Sequence, residues 1–361
     1  MKVLIAMSGG VDSSVAAALL KEQGYECLGV TMVLACATKA SDRGCCSLES
    51  VNDAQKVAKM LGIPHYTLNF KEEFKKCVID NFIAEYKNGR TPNPCIRCNQ
   101  FIKFDYLLKK ADELGCEKIA TGHYVRIQNL KLQTSNLKTT ENYKLLKGKD
   151  TKKDQSYVLY MLNQETLARV LFPLGEMTKQ EVRQKAKALG LPVHDKAESQ
   201  EICFVEDDNY AGFIKEKCPE AVKPGKIVDT KGNVVGQHDG VAFFTLGQRK
   251  GIGAHQGQPK YVVKIDVKTN TVVIGDQEDL MGKELVARDL TFVSGQLPAQ
   301  PLKIKAKIRY NSIEAPAVLE MLGKEQEEGK VIFEKPQRAI TPGQSVVFYN
   351  GEEVLGGGII R

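Results

Sequence analysis

Short apolar runs alternate with amphipathic segments through the first third of the chain. The predicted strands cover residues 3–6, which form an apolar run, and residues 27–34, 63–68 and 118–121. Between them, apolar residues recur at helical spacing over residues 15–22, 51–61, 70–86 and 104–114. Continuous apolar runs are typical of strands buried on both faces, and their alternation with helices indicates βαβ units. The pattern predicts an α/β fold built on a doubly wound parallel sheet.

The pattern is less regular after residue 124. Two short apolar runs, 124–127 and 143–146, flank the polar segment 129–142, which predicts a hairpin with a polar tip. One helix is predicted to follow the segment 152–157 and to end at Met161, and another is predicted over residues 180–189.

From about Gly225 the pattern changes again, because glycine and proline now punctuate short apolar runs at residues 226–229, 261–266 and 271–274. Such spacing predicts antiparallel β structure. We therefore expect three domains: a catalytic domain at 1–204, a small mainly-β central domain at 205–282, and a C-terminal β-barrel-like domain at 283–361. Their boundaries are set only to about ten residues.

Composition narrows the class of protein. The 361 residues are 42% hydrophobic and 26% charged, as in globular proteins. No apolar stretch approaches the ~20 residues that cross a bilayer, and no signal sequence is recognised, so we expect a cytoplasmic protein without membrane contacts. Ten cysteines then favour thiol chemistry or metal binding over a disulfide framework. The net charge of +7 suits a polyanionic partner, although lysine-rich solubility is the simpler explanation.

The clearest candidate for chemistry is the turn after the first predicted strand, Ser8-Gly-Gly-Val-Asp-Ser13. A strand, a glycine turn and a helix N-terminus together form a site for phosphate or pyrophosphate. The turn lacks the Gly-Lys-Ser/Thr ending of the P-loop and the Gly-x-Gly-x-x-Gly dinucleotide pattern. It matches instead the Ser-Gly-Gly-x-Asp-Ser pyrophosphate loop of ATP pyrophosphatases. An ordinary strand-to-helix turn is the alternative.

Other candidate residues follow the ends of the predicted parallel strands. Met32, the loop that contains Cys95, and Gly122-His123 all fall there, as does the Ser8 turn. Because parallel α/β sheets bind ligands at the carboxyl ends of their strands, we expect these segments to form one site.

Two thiols, Cys95 and Cys98, occur in a segment that Pro92 and Pro94 predict to be a rigid loop. Three interpretations stay open. The thiols are a nucleophilic or redox pair acting with Cys203, or they form a zinc or iron–sulfur site with Cys203 as third ligand, or they are small buried residues without chemistry. The polar neighbours of Cys203, residues 199–201, favour an accessible loop.

The remaining cysteines are less informative. We interpret five of them as structural: Cys27, Cys36, Cys77, Cys116 and Cys218. The adjacent pair Cys45-Cys46 is ambiguous.

Several motifs occur in a fixed order along the chain: Ser8-Gly-Gly-Val-Asp-Ser13, Gly89-Arg-Thr-Pro-Asn-Pro-Cys-Ile-Arg-Cys-Asn99, Thr121-Gly-His-Tyr124, Lys153-Asp-Gln-Ser-Tyr157, Ser199-Gln-Glu-Ile-Cys-Phe204, Phe244-Thr-Leu-Gly-Gln-Arg-Lys-Gly251 and Arg309-Tyr310. In these motifs and their order, which span essentially the whole chain, the sequence resembles the tRNA-specific 2-thiouridylases. The resemblance implies a Rossmann-like ATP pyrophosphatase domain and ATP-dependent replacement of O2 of the wobble uridine by sulfur.

The resemblance also implies the site residues. ATP, with Mg²⁺, would adenylate the uridine oxygen, and Asp12 would be catalytic. The ATP-binding residues would be Ala6, Met7, Ser8, Gly9, Gly10, Val11, Asp12, Ser13, Met32 and Gly122. Cys203 would carry the sulfur as a persulfide received from an upstream sulfur-carrier protein or cysteine desulfurase. Cys98 would be its nucleophilic partner and would close a Cys98–Cys203 disulfide.

The implied partner is a tRNA with a wobble uridine, such as those for Lys, Glu and Gln. The target base must leave the anticodon stack, which costs less in a loop than in a duplex. The residues that correspond to contacts with the base or the tRNA are Asn93, Pro94, Cys95, His123, Lys153, Asp154, Gln155, Arg309, Tyr310 and Gln344.

The chain departs from the family at Cys95, where many members carry Asp. Cys95, Cys98 and Cys203 offer three thiols, so the same reaction through a [4Fe–4S] cluster with one open iron is an alternative, although three ligands fall short of the usual four. Two further alternatives are an amide-forming ATP pyrophosphatase, which would need neither Cys98 nor Cys203, and a metal-stabilised RNA-binding module without enzymatic activity.

Overall fold

A computed structural model describes residues 1–34, 48–133, 139–196, 202–205, 209–252, 259–298, 301–323 and 328–361. Cys36, Cys45 and Cys46, and the polar residues 199–201 before Cys203, therefore lie outside the described residues.

The strands are β1 (Lys2–Ala6), β2 (Glu26–Val33), β3 (His65–Asn69), β4 (Lys118–Ala120), β5 (Val125–Gln133), β6 (Thr139–Lys147), β7 (Val170–Leu171), β8 (Gly225–Asp229), β9 (Val234–His238), β10 (Tyr261–Asp266), β11 (Thr271–Gly275), β12 (Met281–Phe292), β13 (Leu302–Lys307), β14 (Ala315–Leu322), β15 (Glu328–Arg338), β16 (Ser345–Asn350) and β17 (Glu353–Ile360).

The helices are α1 (Val11–Glu22), α2 (Leu48–Leu61), α3 (Lys71–Phe74), α4 (Asp80–Lys87), α5 (Pro94–Arg97), α6 (Leu107–Glu113), α7 (Gln164–Arg169), α8 (Lys179–Ala188) and α9 (Tyr210–Lys217). Two π-helical segments, Lys75–Ile79 and Cys98–Tyr106, join α3 to α4 and α5 to α6. None of the described helices combines the length and apolarity that a bilayer span requires.

A parallel sheet with strand order β3-β2-β1-β4-β7 forms the centre of the first domain. Side chains from β1 enter two different hydrophobic clusters, because Leu4 packs on one face and Val3 and Ile5 on the other. All three are fully buried, which explains why the run has no polar alternation. The predicted doubly wound α/β fold is confirmed. β1 and β4, adjacent in space but distant in sequence, leave between their carboxyl ends the crevice where such sheets bind ligands.

The segment around Cys95 and Cys98 differs from the prediction. It is not a loop, because a helix begins at Pro94 and continues through α5, the π-helical segment and α6. The side chain of Asn93 caps this helix by accepting a hydrogen bond from the Cys95 N–H at 3.1 Å. Proline is well suited to the first helical position, where no N–H is needed. The same residues that suggested a loop therefore start a helix.

Two further elements differ in length from the prediction. β5 and β6 extend far into the polar segment, where Lys131 pairs with Glu141. Cross-strand pairs of opposite charge stabilise a solvated hairpin that carries little apolar signal. The helix predicted to end at Met161 is only a 3₁₀ turn, Ser156–Val158. Its residues are all buried, so they lack the solvent-facing side that a surface helix would show.

The central domain holds a four-stranded sheet with strand order β10-β11-β8-β9. Two pairings are antiparallel, but β11 and β8 are parallel, so the expectation of purely antiparallel structure is wrong there. The chain between β9 and β10 is long enough to return β11 to the side of β8 in this orientation.

The C-terminal domain is a barrel with strand order β12-β15-β14-β13-β16-β17, closed by pairing between β12 and β17. The hairpin of β5 and β6 joins this barrel, because Leu145 in β6 pairs with Val354 in β17. The first domain thus contributes two strands to the barrel sheet, which fixes the barrel beside the carboxyl edge of the parallel sheet.

Candidate active site

The turn between β1 and α1 is held by its own serines. The Ser8 N–H donates to Ser13 Oγ at 3.1 Å, and the Ser14 hydroxyl donates to the Gly10 carbonyl at 2.8 Å. Gly10 has extended backbone and is the N-cap of α1, where no side chain satisfies the first N–H groups. A turn of this form directs backbone N–H groups towards an anion.

Two glycines let other elements contact this turn directly. Gly9 has φ +70°, and a Cβ there would lie 2.1 Å from the Ser50 carbonyl oxygen of α2. A Cβ at Gly122, after β4, would lie 2.8 Å from both the Asp12 carbonyl carbon and the Ser13 nitrogen. Neither position has room for a side chain. The structure thus brings Gly122 to the turn from 110 residues along the chain, as the arrangement of parallel strands predicts.

Asp12 lies in a network that the sequence did not predict. Lys179 Nζ donates to both Asp12 carboxylate oxygens, at 2.7 and 2.8 Å, and the Tyr124 hydroxyl donates to Asp12 Oδ1 at 2.6 Å. The Lys179 side chain is only 11% exposed. Lys179 is the first residue of α8, whose start is fixed by a capping box between Thr178 and Glu181.

The Thr-x-x-Glu pattern was the available signal for this helix start. It does not reveal that the helix begins beside Asp12, since 167 residues separate Asp12 from Lys179.

The three thiols differ in exposure. Cys95 and Cys203 are exposed, whereas Cys98 is only 8% exposed. Phe204, next to Cys203, contacts Phe74 with ring centroids 5.7 Å apart. Phe74 belongs to the hydrophobic cluster that also contains Cys98. The chain beside Cys203 is therefore anchored to the same cluster as Cys98.

Cys95, Cys98 and Cys203 are the candidate thiolate ligands for a cluster. Among the residues that the structure describes, which include Cys95, Cys98 and Cys203, no three Cys, His, Asp or Glu side chains are gathered so as to hold a metal ion. The donors as they stand do not fit a [4Fe–4S] cluster, which needs its thiolates around one centre.

Tyr310 of the barrel is close enough to Cys95 for the thiol to affect its pKa. Burial, Asp154 and the Cys95 thiol, in that order of effect, raise the pKa of the Tyr310 hydroxyl. This hydroxyl donates to the Asp154 carbonyl at 3.3 Å, while the ring stays 37% exposed. Lys307 Nζ lies 5.7 Å from the centroid of the Tyr310 ring. An exposed aromatic ring with a nearby cation is the pairing that single-stranded nucleic acids use for stacking and phosphate contact.

The segment before Cys95 is also held by the barrel. Gln344 Nε2 donates to the Thr91 carbonyl, and the Thr91 N–H donates to the Pro342 carbonyl, both at 2.8 Å. Asn93 is thus fixed two residues beyond a backbone connection between the domains, and Pro94 is buried.

Arg309 joins two domains. Its Nη2 donates to the Leu246 carbonyl of the central domain at 3.2 Å and to the Ala339 carbonyl of the barrel at 3.0 Å, and it also contacts the Thr341 hydroxyl. Burial lowers the pKa of this guanidinium, with a smaller effect of Arg338. In this structure the Nη2 contacts of Arg309 therefore link the central domain to the barrel directly before Tyr310.

Residues 153–155 connect the two parts of the site. Gln155 Oε1 accepts a hydrogen bond from the Tyr124 N–H at 2.9 Å. The Asp154 carboxylate accepts from the Gly148 N–H at 2.9 Å and from the Ser156 hydroxyl at 2.7 Å. Lys153 is half-buried on the same turn. This turn therefore spans the distance between Tyr310, beside Cys95, and Tyr124, which contacts Asp12.

His123 is buried, with 7% exposure. Its ring lies 5.9 Å from that of Phe104 and 6.1 Å from that of Phe172, and Nδ1 is 2.6 Å from the Thr121 hydroxyl. Burial, and to a lesser degree Lys103, lowers the pKa of His123 well below its ordinary value of 6.5. The imidazole is therefore neutral at pH 7 and suits a role in shape and hydrogen bonding.

This buried histidine predicts a pH dependence of stability. Below pH 6.5 the unfolded chain protonates His123 while the folded chain does not, so protons favour unfolding. We expect acidification from pH 7.5 to pH 5.5 to lower the free energy of unfolding by about 1.4 kcal/mol in total more in the wild type than in His123→Gln. Urea unfolding at pH 7.5, 6.5 and 5.5 would measure this difference. Parallel pH profiles for the two proteins would contradict it.

Known proteins resemble this chain over its full length. The models of three domain families match it, described as tRNA methyl transferase HUP domain (residues 1–207), tRNA methyl transferase PRC-barrel domain (211–276) and aminomethyltransferase β-barrel domain (282–360). The tRNA-specific 2-thiouridylase MnmA of Acetivibrio thermocellus is 53% identical, with 100% of this chain and 99% of the relative covered. Its namesake from Clostridioides difficile is 50% identical, with coverage of 100% and 98%.

A solved structure of a 4-thiouridine synthetase–RNA complex with bound ATP is more distant. It aligns with 61% of this chain and 50% of its own, at 17% identity and a TM-score of 0.34. This likeness is too low to bear on function.

Proposed function

The chain belongs to the family of tRNA-specific 2-thiouridylases, and on this basis we propose that it is a tRNA-uridine 2-sulfurtransferase. In this proposal ATP activates O2 of the wobble uridine, position 34, and sulfur replaces that oxygen. The products are 2-thiouridine, AMP and pyrophosphate.

The observation that supports the proposal most is the connection between the anion turn and the thiols. The Ser8–Ser13 turn, which suits phosphates, contacts Tyr124 through Asp12. The Tyr124 N–H donates to Gln155, and the neighbouring Asp154 carbonyl accepts from the Tyr310 hydroxyl, whose pKa the Cys95 thiol also affects. A nucleotide bound at the Ser8–Ser13 turn and an RNA base bound near Tyr310 would thus be separated only by residues 153–155. An enzyme that joins ATP chemistry to a base in RNA needs this proximity.

The first half-reaction is proposed to be adenylation. The uridine O2 attacks the α-phosphorus of ATP, the bond from that phosphorus to the bridging oxygen breaks, and pyrophosphate leaves. Residues 6–13 would hold the phosphates, while Met32 and Gly122 would border the nucleoside. Asp12 supplies the carboxylate oxygen that Mg²⁺ prefers alongside phosphate oxygens, and the ion would offset charge on the leaving pyrophosphate.

The second half-reaction is proposed to transfer sulfur. The terminal sulfur of a Cys203 persulfide attacks C2 of the activated uridine, and AMP leaves with the former O2. The Cys98 thiolate then attacks Sγ of Cys203, which breaks the bond to the transferred sulfur. The products are 2-thiouridine and a Cys98–Cys203 disulfide, which an external dithiol reduces. The persulfide comes from a sulfur-carrier protein or cysteine desulfurase.

The tRNA is proposed to bind against the first domain and the barrel. Asn93, Pro94 and Cys95 would border the extruded base, and Tyr310 offers a stacking surface beside them. His123, residues 153–155, Arg309 and Gln344 would shape the surrounding surface. Methyl transfer, which the names of two of the matching domain families mention, would need neither a pyrophosphate turn nor a persulfide thiol. Thiolation uses both.

Mass analysis of tRNA tests the proposed function. Wobble-uridine tRNAs for Lys, Glu and Gln are incubated with the protein, ATP, Mg²⁺ and a chemical persulfide donor, and digested nucleosides are analysed. We expect uridine 34 to gain about 16 Da, the difference between sulfur and oxygen, with release of pyrophosphate. A control tRNA with cytidine at position 34 should stay unchanged. If the mass does not change although a known tRNA-thiolating enzyme modifies the same tRNA, the proposal is wrong.

A further inference from the structure

The outward face of β13 carries a row of lysines that ends close to Tyr310. Successive side chains of a strand point to opposite faces of the sheet. Ile304 and Ala306 are buried in the barrel, so Lys303, Lys305 and Lys307 extend from the other face. Alternate residues of a strand are about 7 Å apart. The lysine row, residues 303, 305 and 307, therefore presents ammonium groups at regular intervals.

The row follows the border between the barrel and the first domain. Lys305 pairs with Tyr349 of β16, so the two side chains extend from the same face of the sheet. Tyr349 is fully buried in the hydrophobic cluster of the first domain, whereas Lys305 is exposed. Lys307 Nζ lies 5.9 Å from the ring centroid of Tyr157, in the first domain, and 5.7 Å from that of Tyr310. The row thus leads along this border to the ring that offers a stacking surface.

The two outer lysines of the row lack acidic neighbours. Lys303 and Lys305 are exposed, and neither forms an ion pair with any residue that the structure describes. Directly across, on β14, they face Val318 and Pro316, which carry no charge. The positive charge of this face is therefore not neutralised by the strand beside it.

Other lysines of the chain differ in this respect. Lys330 of β15 pairs with Glu284 of β12 at 2.7 Å, and Lys147 of β6 pairs with Glu314 at 2.6 Å. Surfaces that serve solubility alone usually intersperse both signs of charge. A row of one sign is self-repelling, and it is favourable when a polyanion lies along it.

We propose that Lys303 and Lys305 bind successive phosphates of the RNA strand that flanks the extruded uridine, and that Lys307 continues this row to Tyr310. The regular spacing of the ammonium groups suits an extended single strand, whose phosphates also recur at regular intervals. Ammonium groups contact phosphates without reading the bases, so the row positions the strand while other residues select the base. This inference rests on the proposed tRNA substrate.

Lys283 provides a matched control in the same barrel. It is an exposed lysine of β12. Because the strand order β12-β15-β14-β13-β16-β17 closes into a ring, β12 lies three strands from β13 in either direction. Lys283→Met therefore removes the same charge from the same domain on the side away from the lysine row.

The test is binding of a fluorescent anticodon stem-loop RNA with uridine 34 to the full chain, without ATP. Fluorescence anisotropy gives the affinity at a series of KCl concentrations. In the double variant Lys303→Met/Lys305→Met, we expect the slope of log affinity against log salt to become shallower by about 1.4, because each single-strand phosphate contact contributes about 0.7. If the affinities converge at 1 M salt, this corresponds to about 25-fold weaker binding at 0.1 M.

Control variants show whether charge is the cause. Lys283→Met should keep the wild-type slope, and so should Lys303→Arg/Lys305→Arg, which retains both positive charges. Circular dichroism establishes that each variant is folded. Equal slopes for the wild type and the folded double methionine variant would overturn the inference.

Two further RNA probes identify what the row binds. A stem-loop with cytidine 34 should lose the same factor in the double methionine variant, because the contacts are made to phosphates. A blunt duplex with the sequence of the stem should bind the wild type and the double variant with equal slopes, because the row contacts the loop strand. A loss on the duplex as large as that on the stem-loop would overturn the inference.

The thiolation assay separates this inference from the proposed function. If the wild type does not thiolate tRNA but the slopes differ as expected, the proposed function fails and the lysine row still binds RNA. If the wild type thiolates tRNA but the slopes are equal, only the inference fails.

Discussion

Serine in place of Cys203 is expected to abolish thiolation while tRNA-dependent pyrophosphate release in the first turnover stays within about twofold of the wild type. A serine hydroxyl cannot carry a persulfide, so the sulfur that attacks C2 would be missing. Adenylation needs only the anion turn, ATP and the uridine oxygen, and Cys203 is not part of that turn. The two half-reactions should therefore separate in this variant.

The expected loss of thiolation is at least about 1000-fold, the order that removal of a covalent nucleophile produces. Mass analysis of nucleosides would measure thiolation, and a coupled assay would measure pyrophosphate. Cys98→Ser should also stop product release but leave the tRNA joined to Cys203 Sγ through the transferred sulfur, a bond that denaturing electrophoresis without reductant detects and a dithiol cleaves. Retention of more than about a tenth of thiolation in Cys203→Ser would refute the persulfide role.

Cys77→Ala is the matched control, because Cys77 is a half-buried free thiol for which the proposal has no chemical role.

Cys95→Asp distinguishes the persulfide route from the cluster route. In the persulfide route a carboxylate beside the base is tolerated, as in many family members, and thiolation continues. In the cluster route one of three thiol ligands is lost, so thiolation and iron content after anaerobic purification fall together.

The parallel sheet was predictable because local pattern and tertiary position agree in it. Val3, Leu4 and Ile5 are consecutive and all buried, and only a strand covered on both faces needs such a run. The rule that ligands bind at the carboxyl ends of these strands correctly predicted that Gly122 lies at the Ser8 turn. Regular topology carries this information, since a short run of sequence fixes where each strand ends.

The failures lie where one local signal has two meanings or where contacts are distant in sequence. Pro94 is as compatible with a loop as with the first residue of a helix, and the cap by Asn93 decides the matter. The sequence around Lys179 does not indicate that it contacts Asp12, because 167 residues separate the two and the capping box marks only the helix start. Single-sequence patterns report burial and helix ends, not which two helix ends meet.

Truncation of Phe82 to alanine should destabilise the protein and uncouple sulfur transfer from adenylation. Phe82 is 1% exposed and its ring contacts Tyr86, Phe204 and Phe213, with centroids 4.9, 5.3 and 6.1 Å apart. Loss of a buried phenyl ring costs about 3–5 kcal/mol. Because Phe204 follows Cys203 directly, the cavity would also release the segment that carries the thiol. A displacement of about 1 Å costs on the order of 100-fold in a step that needs alignment.

Phe348→Ala provides the comparison, since Phe348 is also fully buried but belongs to the barrel cluster, away from Phe204. Both variants should melt at lower temperature than the wild type, as followed by far-ultraviolet circular dichroism because the chain has no tryptophan. Below their melting temperatures, only Phe82→Ala should lower the ratio of thiolation to pyrophosphate release, by about 100-fold. If both variants keep the wild-type ratio, the aromatic cluster around Phe82 stabilises the fold without positioning Cys203. The ratio is the decisive quantity, because a general loss of folded protein lowers both activities equally and leaves it unchanged.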